Sequence, residues 1–412
     1  MPAQTSGNHK RHCLCATHGS RLRQAAAKPA AAQVSDDIVK LGVLTDMSSL
    51  YADINGPGAV VATQMAVEDF GGTVLGKKIE GIQADVQNKA DVAVSISGRW
   101  YDTEKVDAIL GTAASSSSLA TSSVAKEKKK IYLATDPASS DITGKACNAY
   151  TIHWVYDTIA LANGTGSAVV KAGGKTWFFL TADYAFGHAL ERDVTAVVTA
   201  NDGKVVGSVR HPINTPDFSS FLLQAQNSKA QIIGLANAGG DTINSIKQGA
   251  EFGLLAGGQK LAGLLVFISD IHTIGLKQAQ GLNLTEAFYW DLNDNTRAWS
   301  KRWSAKMNGR MPTMIQAGFY SATMAYLEAI KATGTDDADK VMAKLKSTPM
   351  DDPLFGKGYV RKDGRKMHDM HLFEVKKPEE SKGPWDYYKL VRTIPAEEAF
   401  RPMDKGGCPL VN

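Results

Sequence analysis

The chain is poor in cysteine and has no long apolar run. These two features bear on whether it is a redox, metal-binding or membrane-spanning protein. Only four of its 412 residues are cysteine. They form no C-x-x-C pair and no cluster with histidine, so neither a redox motif nor a metal centre is indicated, and no cofactor is expected. No stretch approaches the roughly 18 apolar residues of a membrane span, so no direct membrane span is expected.

A large charge of one sign is missing as well. The formal net charge is +4, but residues 1–33 carry five Lys or Arg residues and no acidic residue. Without that segment the net charge is −1, so the rest of the chain is nearly neutral. A basic stripe of the kind that binds nucleic acid is therefore not indicated, and no nucleic-acid partner is expected.

Residues 1–33 resemble an export leader only in part. The segment has small residues, "AAA", just before Gln33, as signal-peptide cleavage requires,. It lacks the apolar stretch of about 7–15 residues that export also requires. Either the start site or the reading frame is wrong, which we favour, or the segment is not a working leader. We expect it to lie outside the fold.

The four cysteines divide into two pairs. Cys13 and Cys15 belong to the leader-like segment, whereas Cys147 and Cys408 belong to the body of the chain. The second pair is either two unrelated buried thiols or a disulfide that ties the carboxyl terminus to the body. The disulfide, which we favour, requires an oxidising compartment.

Apolar segments of strand length alternate with helical patterns along most of the chain. Four strands are predicted before residue 157, in the stretches "IVKLGVL", "KKIEGIQAD", "VDAILG" and "IYLAT". The alternation restarts after residue 157 and continues to a strand predicted over 261–269. Helices are predicted over 294–307, 313–333 and 336–347. Alternating strands and helices are typical of parallel sheets covered by helices on both faces, so two successive α/β halves are expected.

Small and hydroxyl-bearing residues follow two neighbouring strands of the first half. Ser115 and Ser116 come after "VDAILG", and Ala138, Ser139 and Ser140 come after "IYLAT". Ligands of open parallel sheets bind beyond the carboxyl ends of the strands, and free N–H groups at a helix start attract anions. These residues therefore predict a small-anion site, the alternative being plain helix capping by solvated serines.

Other strand ends and the junction between the halves supply further candidates. Asp270 could meet an ammonium group or merely cap a helix, and the cap is slightly favoured. His153, in contrast, has the character of a structural histidine. The remaining candidate ligand-binding residues are Trp154, Tyr156, Asp157, Phe186 with Tyr184 beside it, and Asn237.

Taken together, these stretches resemble the periplasmic substrate-binding proteins of ABC importers, in the leucine/isoleucine/valine-binding branch. The resemblance covers roughly residues 36–400 and rests on the order and spacing of four stretches. They are "VKLGVLTDMSSLYADINGPGAVVATQMAVEDF", "ILGTAASSSSLATSSVAKEKKKIYLATDPASSDITG", "TADYAFGHAL" and "MPTMIQAGFYSATMAYLEAI".

The resemblance implies the type I periplasmic-binding fold, a Venus-flytrap of two Rossmann-like α/β lobes with parallel sheets joined by three crossovers. The N-terminal lobe would comprise 34–156 plus 290–353, and the C-terminal lobe 157–289 plus 354–412. The lobes would close on a solute and deliver it to the permease membrane subunits of the transporter, with no enzymatic step. A monomer in the periplasm is expected.

The resemblance also assigns roles to site residues. Ser115 and Ser116 match the serine pair that grips the solute's carboxylate in that family, and the positions from Ala138 to Ser140 match a small hydroxyl position. Asp157 matches the crossover aspartate, and Phe186 replaces the usual tyrosine.

Several positions depart from the family pattern. Asn55 stands where a first-lobe tyrosine is expected, with Tyr51 nearby as a substitute, and Asp270 matches the ammonium partner only with a slip of one residue. Ala114 replaces a cysteine of the family's first-lobe disulfide. These departures widen the predicted solute to a small carboxylate, either a branched-chain amino acid or an aromatic or keto acid.

Three alternatives remain weaker. A ligand-sensing receptor on the same scaffold would have a partner other than a permease. An NAD-dependent dehydrogenase is suggested by "GPG" at 56–58, but eleven residues separate Leu44 from Gly56 and Pro57 would block the phosphate-binding turn,. A serine hydrolase is disfavoured because G-x-S-x-G is missing,.

Overall fold

A computed structural model of the chain describes residues 34–254 and 257–411. The expectations for the leader-like segment, including Cys13 and Cys15, lie outside the described residues. The strands are β1 Ile38–Thr45, β2 Thr73–Val74, β3 Lys77–Asp85, β4 Ala108–Gly111, β5 Ile131–Ala134, β6 Thr151–His153, β7 Thr176–Ala182, β8 Lys204–His211, β9 Ile232–Ala236, β10 Lys260–Gly263, β11 Asn283–Glu286, β12 Met350–Asp352, β13 Gly356–Val360, β14 Lys366–Met367, β15 Met370–Val375 and β16 Tyr388–Ile394. The helices are α1 Gly56–Phe70, α2 Ala90–Asp102, α3 Ser115–Lys128, α4 Thr158–Leu161, α5 Ser167–Lys171, α6 Ala185–Ala200, α7 Ser219–Asn227, α8 Gly240–Glu251, α9 Ile268–Ile274, α10 Leu276–Ala279, α11 Asp294–Lys306, α12 Met314–Thr333, α13 Ala338–Ser347 and α14 Ala396–Ala399.

The first lobe is built on a six-stranded sheet in the order β2-β3-β1-β4-β5-β6. All neighbours pair in parallel except the short edge strand β2. Every residue of β4 and β5 is buried, as expected of central strands covered on both faces. Helices α2 and α3 pack together, as do α1 and α12, and these pairs cover the sheet.

The second lobe is built on a four-stranded parallel sheet in the order β10-β9-β7-β8. Strand β7, "TWFFLTA", is buried along nearly its whole length. A single π-helical turn joins α4 to α5 and packs with them against α6. A three-stranded antiparallel sheet, β11-β15-β16, completes this lobe.

The predicted alternation of strands and helices is confirmed, with one correction. The apolar run 261–269 is predicted as one strand, but β10 ends at Gly263 and α9 begins at Ile268. The residues between them, Leu264–Phe267, are buried without belonging to a strand. Apolar composition alone does not tell whether a short buried run is a strand. Here the run contains the end of β10, a buried loop and the start of α9.

Three connections link the sheets: β6 of the six-stranded sheet leads to β7 of the four-stranded sheet, β11 leads to the β12-β13-β14 sheet, and β14 leads back to β15, the partner of β11. The segment that follows β16 then returns to the first lobe, where Cys408 forms a disulfide with Cys147. The disulfide alternative is therefore the one that the structure contains. The lobe boundaries stay a prediction, and the predicted boundary at 353/354 falls between β12 and β13 of one small antiparallel sheet.

Candidate functional site

A cavity lies where the carboxyl ends of strands from the two lobes face each other. About 310 Å³ of space free of protein atoms lies among its lining residues, open solvent at its mouth included. Its lining residues follow β1, β4, β5 and β6 in the first lobe and β7, β9 and β10 in the second, with one residue from α12. They are Tyr51, Ile54, Asn55, Ala113, Ser115, Asp136, Ala138, Tyr156, Tyr184, Phe186, Ala238, Leu265, Phe267 and Ile315.

Ser115 lines this cavity, so the amino end of α3 lies at the cavity wall. It is the first residue of α3, and the residue before it, Ala114, has no side chain that could cap the helix. The Oγ atom of Ser115 accepts hydrogen bonds from the backbone N–H groups of Ala138 (3.3 Å) and Ser139 (3.1 Å), which fixes the loops after β4 and β5 together. Because the first N–H groups of a helix have no acceptor within it and carry partial positive charge, this end can hold an anion.

Other predicted hydroxyl residues lie elsewhere in the same region. Ser116 is half-buried and, like Ser139 and Ser140, does not belong to the cavity wall. The Ser139 side chain accepts the N–H of Asp141 and caps a short helical turn. Ser140 donates to a carboxylate oxygen of Asp193 in α6, at 2.7 Å. Ser140 therefore joins the first lobe to the second rather than facing the cavity.

Asp136 lines the cavity, and sequence reasoning did not single it out. One carboxylate oxygen accepts from Thr45 Oγ1 (2.7 Å) and Asn55 Nδ2 (3.1 Å), and the other accepts from Thr135 Oγ1 (2.9 Å). Its backbone carbonyl accepts from the hydroxyl of Tyr156 at 2.9 Å. Burial raises the pKa of Asp136 to about 7 against the opposing effect of these hydrogen bonds,. An acidic residue directly after a buried strand was the available signal.

Aromatic side chains from both lobes form most of the wall. The hydroxyl groups of Tyr51 and Tyr184, which belong to different lobes, lie 2.5 Å apart. Tyr156 meets Phe267 edge-on with ring centroids 6.2 Å apart, again across the two lobes. Burial raises the pKa of both Tyr51 and Tyr184, so both hydroxyls stay neutral at physiological pH. Tyr51 is 5% exposed, so its contact with Tyr184 is largely shielded from solvent.

The two predicted crossover residues Trp154 and Asp157 lie beside the cavity rather than in its wall. Trp154 Nε1 donates to Ser321 Oγ at 2.8 Å. Asp157 caps α4 by accepting the N–H of Ala160 at 2.8 Å, and it lies 3.9 Å from the buried guanidinium of Arg365. Burial raises the pKa of Asp157. These contacts hold the junction between the lobes.

Asn237 and Asp270 also make internal contacts. Asn237 accepts from Thr242 Oγ1 (2.7 Å) and donates to Ser245 Oγ (3.0 Å) in α8. Asp270 accepts the N–H of Phe267 at 2.9 Å, which is the cap contact considered from the sequence. Through this contact Asp270 fixes the backbone of Phe267, whose ring lines the cavity.

Metal and membrane signals can be judged for the described ranges only. Within residues 34–254 and 257–411, no group of three or more His, Cys, Asp or Glu side chains is arranged to hold a metal ion. In the same ranges no helix combines the length and apolarity that crossing a membrane requires.

Comparisons with known proteins identify close relatives of this architecture. A family model described as periplasmic binding protein matches residues 38–383. A periplasmic binding protein from Burkholderia mallei is 55% identical, with a TM-score of 0.89 over 91% of this chain and 100% of that one. A branched-chain amino acid ABC transporter periplasmic ligand-binding protein from Burkholderia xenovorans LB400 is 44% identical, with a TM-score of 0.81 over the same shares. A Leu/Ile/Val-binding protein homolog from Brucella melitensis is 24% identical over 364 residues, which is 85% of this chain and 91% of that protein.

Proposed function

The chain belongs to the periplasmic binding protein family of ABC transporters, and from this premise we propose that it carries a small carboxylate solute in the cavity between its lobes. The observation that carries the proposal is the position of Ser115 and the amino end of α3 at a cavity whose other walls are mainly aromatic and aliphatic. Such a cavity has one end suited to an anion and a body suited to an apolar group.

The carboxylate would lie against the first turn of α3. Backbone N–H groups at a helix start hold a carboxylate without a cationic side chain, and none of the residues lining the cavity carries a positive charge. The hydroxyl of Ser115 is close enough to the loop after β5 to accept from two of its N–H groups. Because these N–H groups donate to Ser115, its hydroxyl hydrogen could in turn donate to a carboxylate at this place.

The apolar part of the solute would contact the rings of Tyr156, Phe186 and Phe267 and the side chains of Leu265 and Ile315. These walls suit a branched aliphatic group as well as a ring. The Burkholderia xenovorans relative is a branched-chain amino acid transporter's binding protein, which supports that class. Aromatic and keto acids form the second class that the walls accept.

Delivery would proceed by lobe movement in the periplasm. Contacts such as that of Tyr51 with Tyr184 join the lobes beside the cavity, so a solute would enter while the lobes are apart. A bound solute that touches both lobes would favour the closed form by its differential affinity for it, and the closed surface would then dock on the permease. The disulfide between Cys147 and Cys408 agrees with an oxidising compartment,.

Isothermal titration calorimetry tests the proposal with L-leucine, L-phenylalanine, benzoate and 4-methyl-2-oxopentanoate. We expect at least one of them to bind, and Ser115→Ala to weaken that binding about fivefold, since one hydrogen bond contributes about 1 kcal/mol. Ser123→Ala is the control, because Ser123 lies on the exposed face of the same helix and bonds only to Leu119 O. Unchanged affinity in Ser115→Ala, or binding by carboxylate-free solutes alone, would contradict the proposal.

A further inference from the structure

The cavity wall contains a second polar group, the carboxyl group of Asp136. This group takes no part in the contact proposed for the solute's carboxylate. Asp136 lines the cavity and is 2% exposed. It is the one acidic residue among the lining residues, and none of them is basic. A carboxylate solute bound at the adjacent start of α3 would meet this second carboxyl group in the same cavity.

The hydrogen bonds of Asp136 favour its ionised form. Thr45, Asn55 and Thr135 all act as donors to its two oxygens, and all three donors are neutral. A carboxylate has about four acceptor positions, so three protein donors leave one for a further donor. Because an ion that is removed from water is stabilised chiefly by an opposite charge, the strongest such donor is a cation.

The groups around Asp136 supply no positive charge. Asp46 at the end of β1, Tyr132 in β5 and Tyr156 after β6 are the ionisable neighbours that interact with it electrostatically. His153 in β6 is fully buried, and burial lowers its pKa well below the ordinary value, so it is neutral at physiological pH. The neighbours on each of these elements are therefore neutral or negative.

We infer that Asp136 is the specificity-determining residue of the cavity: its carboxylate pairs with an amino group of the solute, so that the solute is an amino-bearing carboxylate with an apolar side chain. The inference rests on the proposed function, because it assigns the second polar end of the same solute. It separates amino acids from acids of the same shape that lack the amino group.

The two kinds of solute should respond to pH in opposite directions. The pKa of Asp136 is about 7 before a solute binds. An ammonium group favours ionised Asp136, so binding expels a proton below pH 7, and affinity rises with pH by up to tenfold per unit before it levels off. A carboxylate without an amine favours protonated Asp136, so its affinity falls as pH rises above 7.

Calorimetry from pH 5.5 to 8.5 with two matched pairs of probes tests the inference. The pairs are L-leucine with 4-methylpentanoate and L-phenylalanine with 3-phenylpropanoate, in which the second member lacks only the amino group. We expect an amino acid to bind more tightly than its partner and to gain affinity as pH rises to 7. Asp136→Asn should remove this pH dependence and weaken amino-acid binding about 100-fold or more, while the amine-free partner gains affinity.

Asp107→Asn is the matched control. Asp107 belongs to the same lobe, is buried, and has a pKa raised to about 6 by burial, but it lies at the opposite end of β4, where it accepts the N–H of Lys40. We expect no change in affinity. The pH slope of the unaltered protein needs no variant, so the test does not depend on whether Asp136→Asn folds.

Two results would overturn the inference, and they differ. If an amine-free acid binds as tightly as its amino acid and its affinity is the same in Asp136→Asn, Asp136 selects nothing, while the proposed function stands. If none of these four carboxylates binds the unaltered protein, the inference fails, and if benzoate and 4-methyl-2-oxopentanoate also fail to bind, the proposed function fails with it.

Discussion

Tyr51 and Tyr184 show how single side chains hold the two lobes together. Their hydroxyl groups form a hydrogen bond between the lobes at the rim of the cavity. We predict that Tyr51→Phe lowers solute affinity about threefold to tenfold, because one hydrogen bond of the closed form is lost, worth about 0.5–1.5 kcal/mol. Calorimetry with the tightest-binding solute measures the effect.

The matched control is Tyr101→Phe. The hydroxyl of Tyr101 donates to Ile131 O at 2.9 Å inside the first lobe, so its loss should reduce stability and leave affinity unchanged. Equal affinity losses in Tyr51→Phe and Tyr101→Phe would show that the contact between lobes has no special part in binding.

The raised pKa of Asp136 also leads to a prediction of how the stability of the solute-free protein depends on pH. Its pKa is raised from 3.8 to about 7 in the folded state. A carboxyl group with a raised pKa stabilises the fold fully below its unfolded value, and this stabilisation is lost as pH rises from about 4 to 7. We therefore predict that Asp136→Asn unfolds at a higher urea concentration than the unaltered protein at pH 8. The upper limit of the gain is about 4 kcal/mol.

At pH 4 the gain should be small, because Asp136 is then protonated in the folded state and only near its pKa of 3.8 in the unfolded state,. Urea titrations at pH 4 and pH 8 give the comparison. An equal difference at both pH values would mean that the effect comes from altered hydrogen bonds with Thr45, Thr135 and Asn55 rather than from charge.

Sequence reasoning locates strand ends better than it locates side chains. Ser115 and Ala138 were predictable as neighbours because parallel strands end at the same edge of a sheet, and both lie in the cavity wall. Ser140 and Asp270 come from equally suggestive stretches but make internal contacts. The direction of a side chain within a loop depends on backbone turns and distant partners, such as Asp193 for Ser140, which local sequence does not encode.

At the scale of helices and strands, strong signals were sufficient. Helix α12 begins with reciprocal hydrogen bonds between Thr313 and Gln316 and ends at Gly334 in the left-handed region,. It was predicted over 313–333 and is found over Met314–Thr333. The run 261–269 was predicted less well. It contains the end of a strand, a buried loop and the start of a helix, and all three are apolar.

The segment after β16 is the element whose course the sequence leaves least determined. It returns to the first lobe, where Arg401 donates to Ser140 O at 2.6 Å and Cys408 is joined to Cys147. The disulfide closes a loop between residues 261 positions apart, and long closed loops restrict the unfolded chain most. Only the pairing of two cysteines hinted at this return, since no strand or helix pattern marks it.

We predict that replacing Cys147 and Cys408 together by serine lowers the free energy of unfolding by about 2–5 kcal/mol. For a chain of this length that corresponds to a fall in melting temperature of roughly 3–6 °C. Thermal unfolding followed by circular dichroism measures it. Cys13 and Cys15 remain in both proteins. A reducing agent should lower the melting temperature of the unaltered protein to that of the variant and leave the variant's melting temperature unchanged. Equal melting temperatures without reductant would contradict the prediction.

For the whole molecule, the cavity depends on how the two lobes are arranged relative to each other. The alternation of strands and helices predicts two α/β lobes, because each parallel sheet needs helical crossovers of its own. It does not predict their relative position, which depends on contacts between distant residues such as Tyr156 with Phe267. The cavity is therefore formed by the two lobes together, since its lining residues come from both.

Closure of the whole molecule leads to the last prediction. The cavity wall draws residues from both lobes, and Tyr51 bonds to Tyr184 across them, so under the proposed function a solute would enter an open form. A solute that contacts both lobes then shifts the equilibrium toward the compact form, and its differential affinity limits the shift. We predict that a saturating amino acid lowers the radius of gyration measured by small-angle scattering, toward the ~21 Å expected for a compact chain of this size. Tyr51→Phe should require more solute for the same change. Identical scattering with and without a solute that calorimetry shows to bind would mean that the lobes do not move on binding.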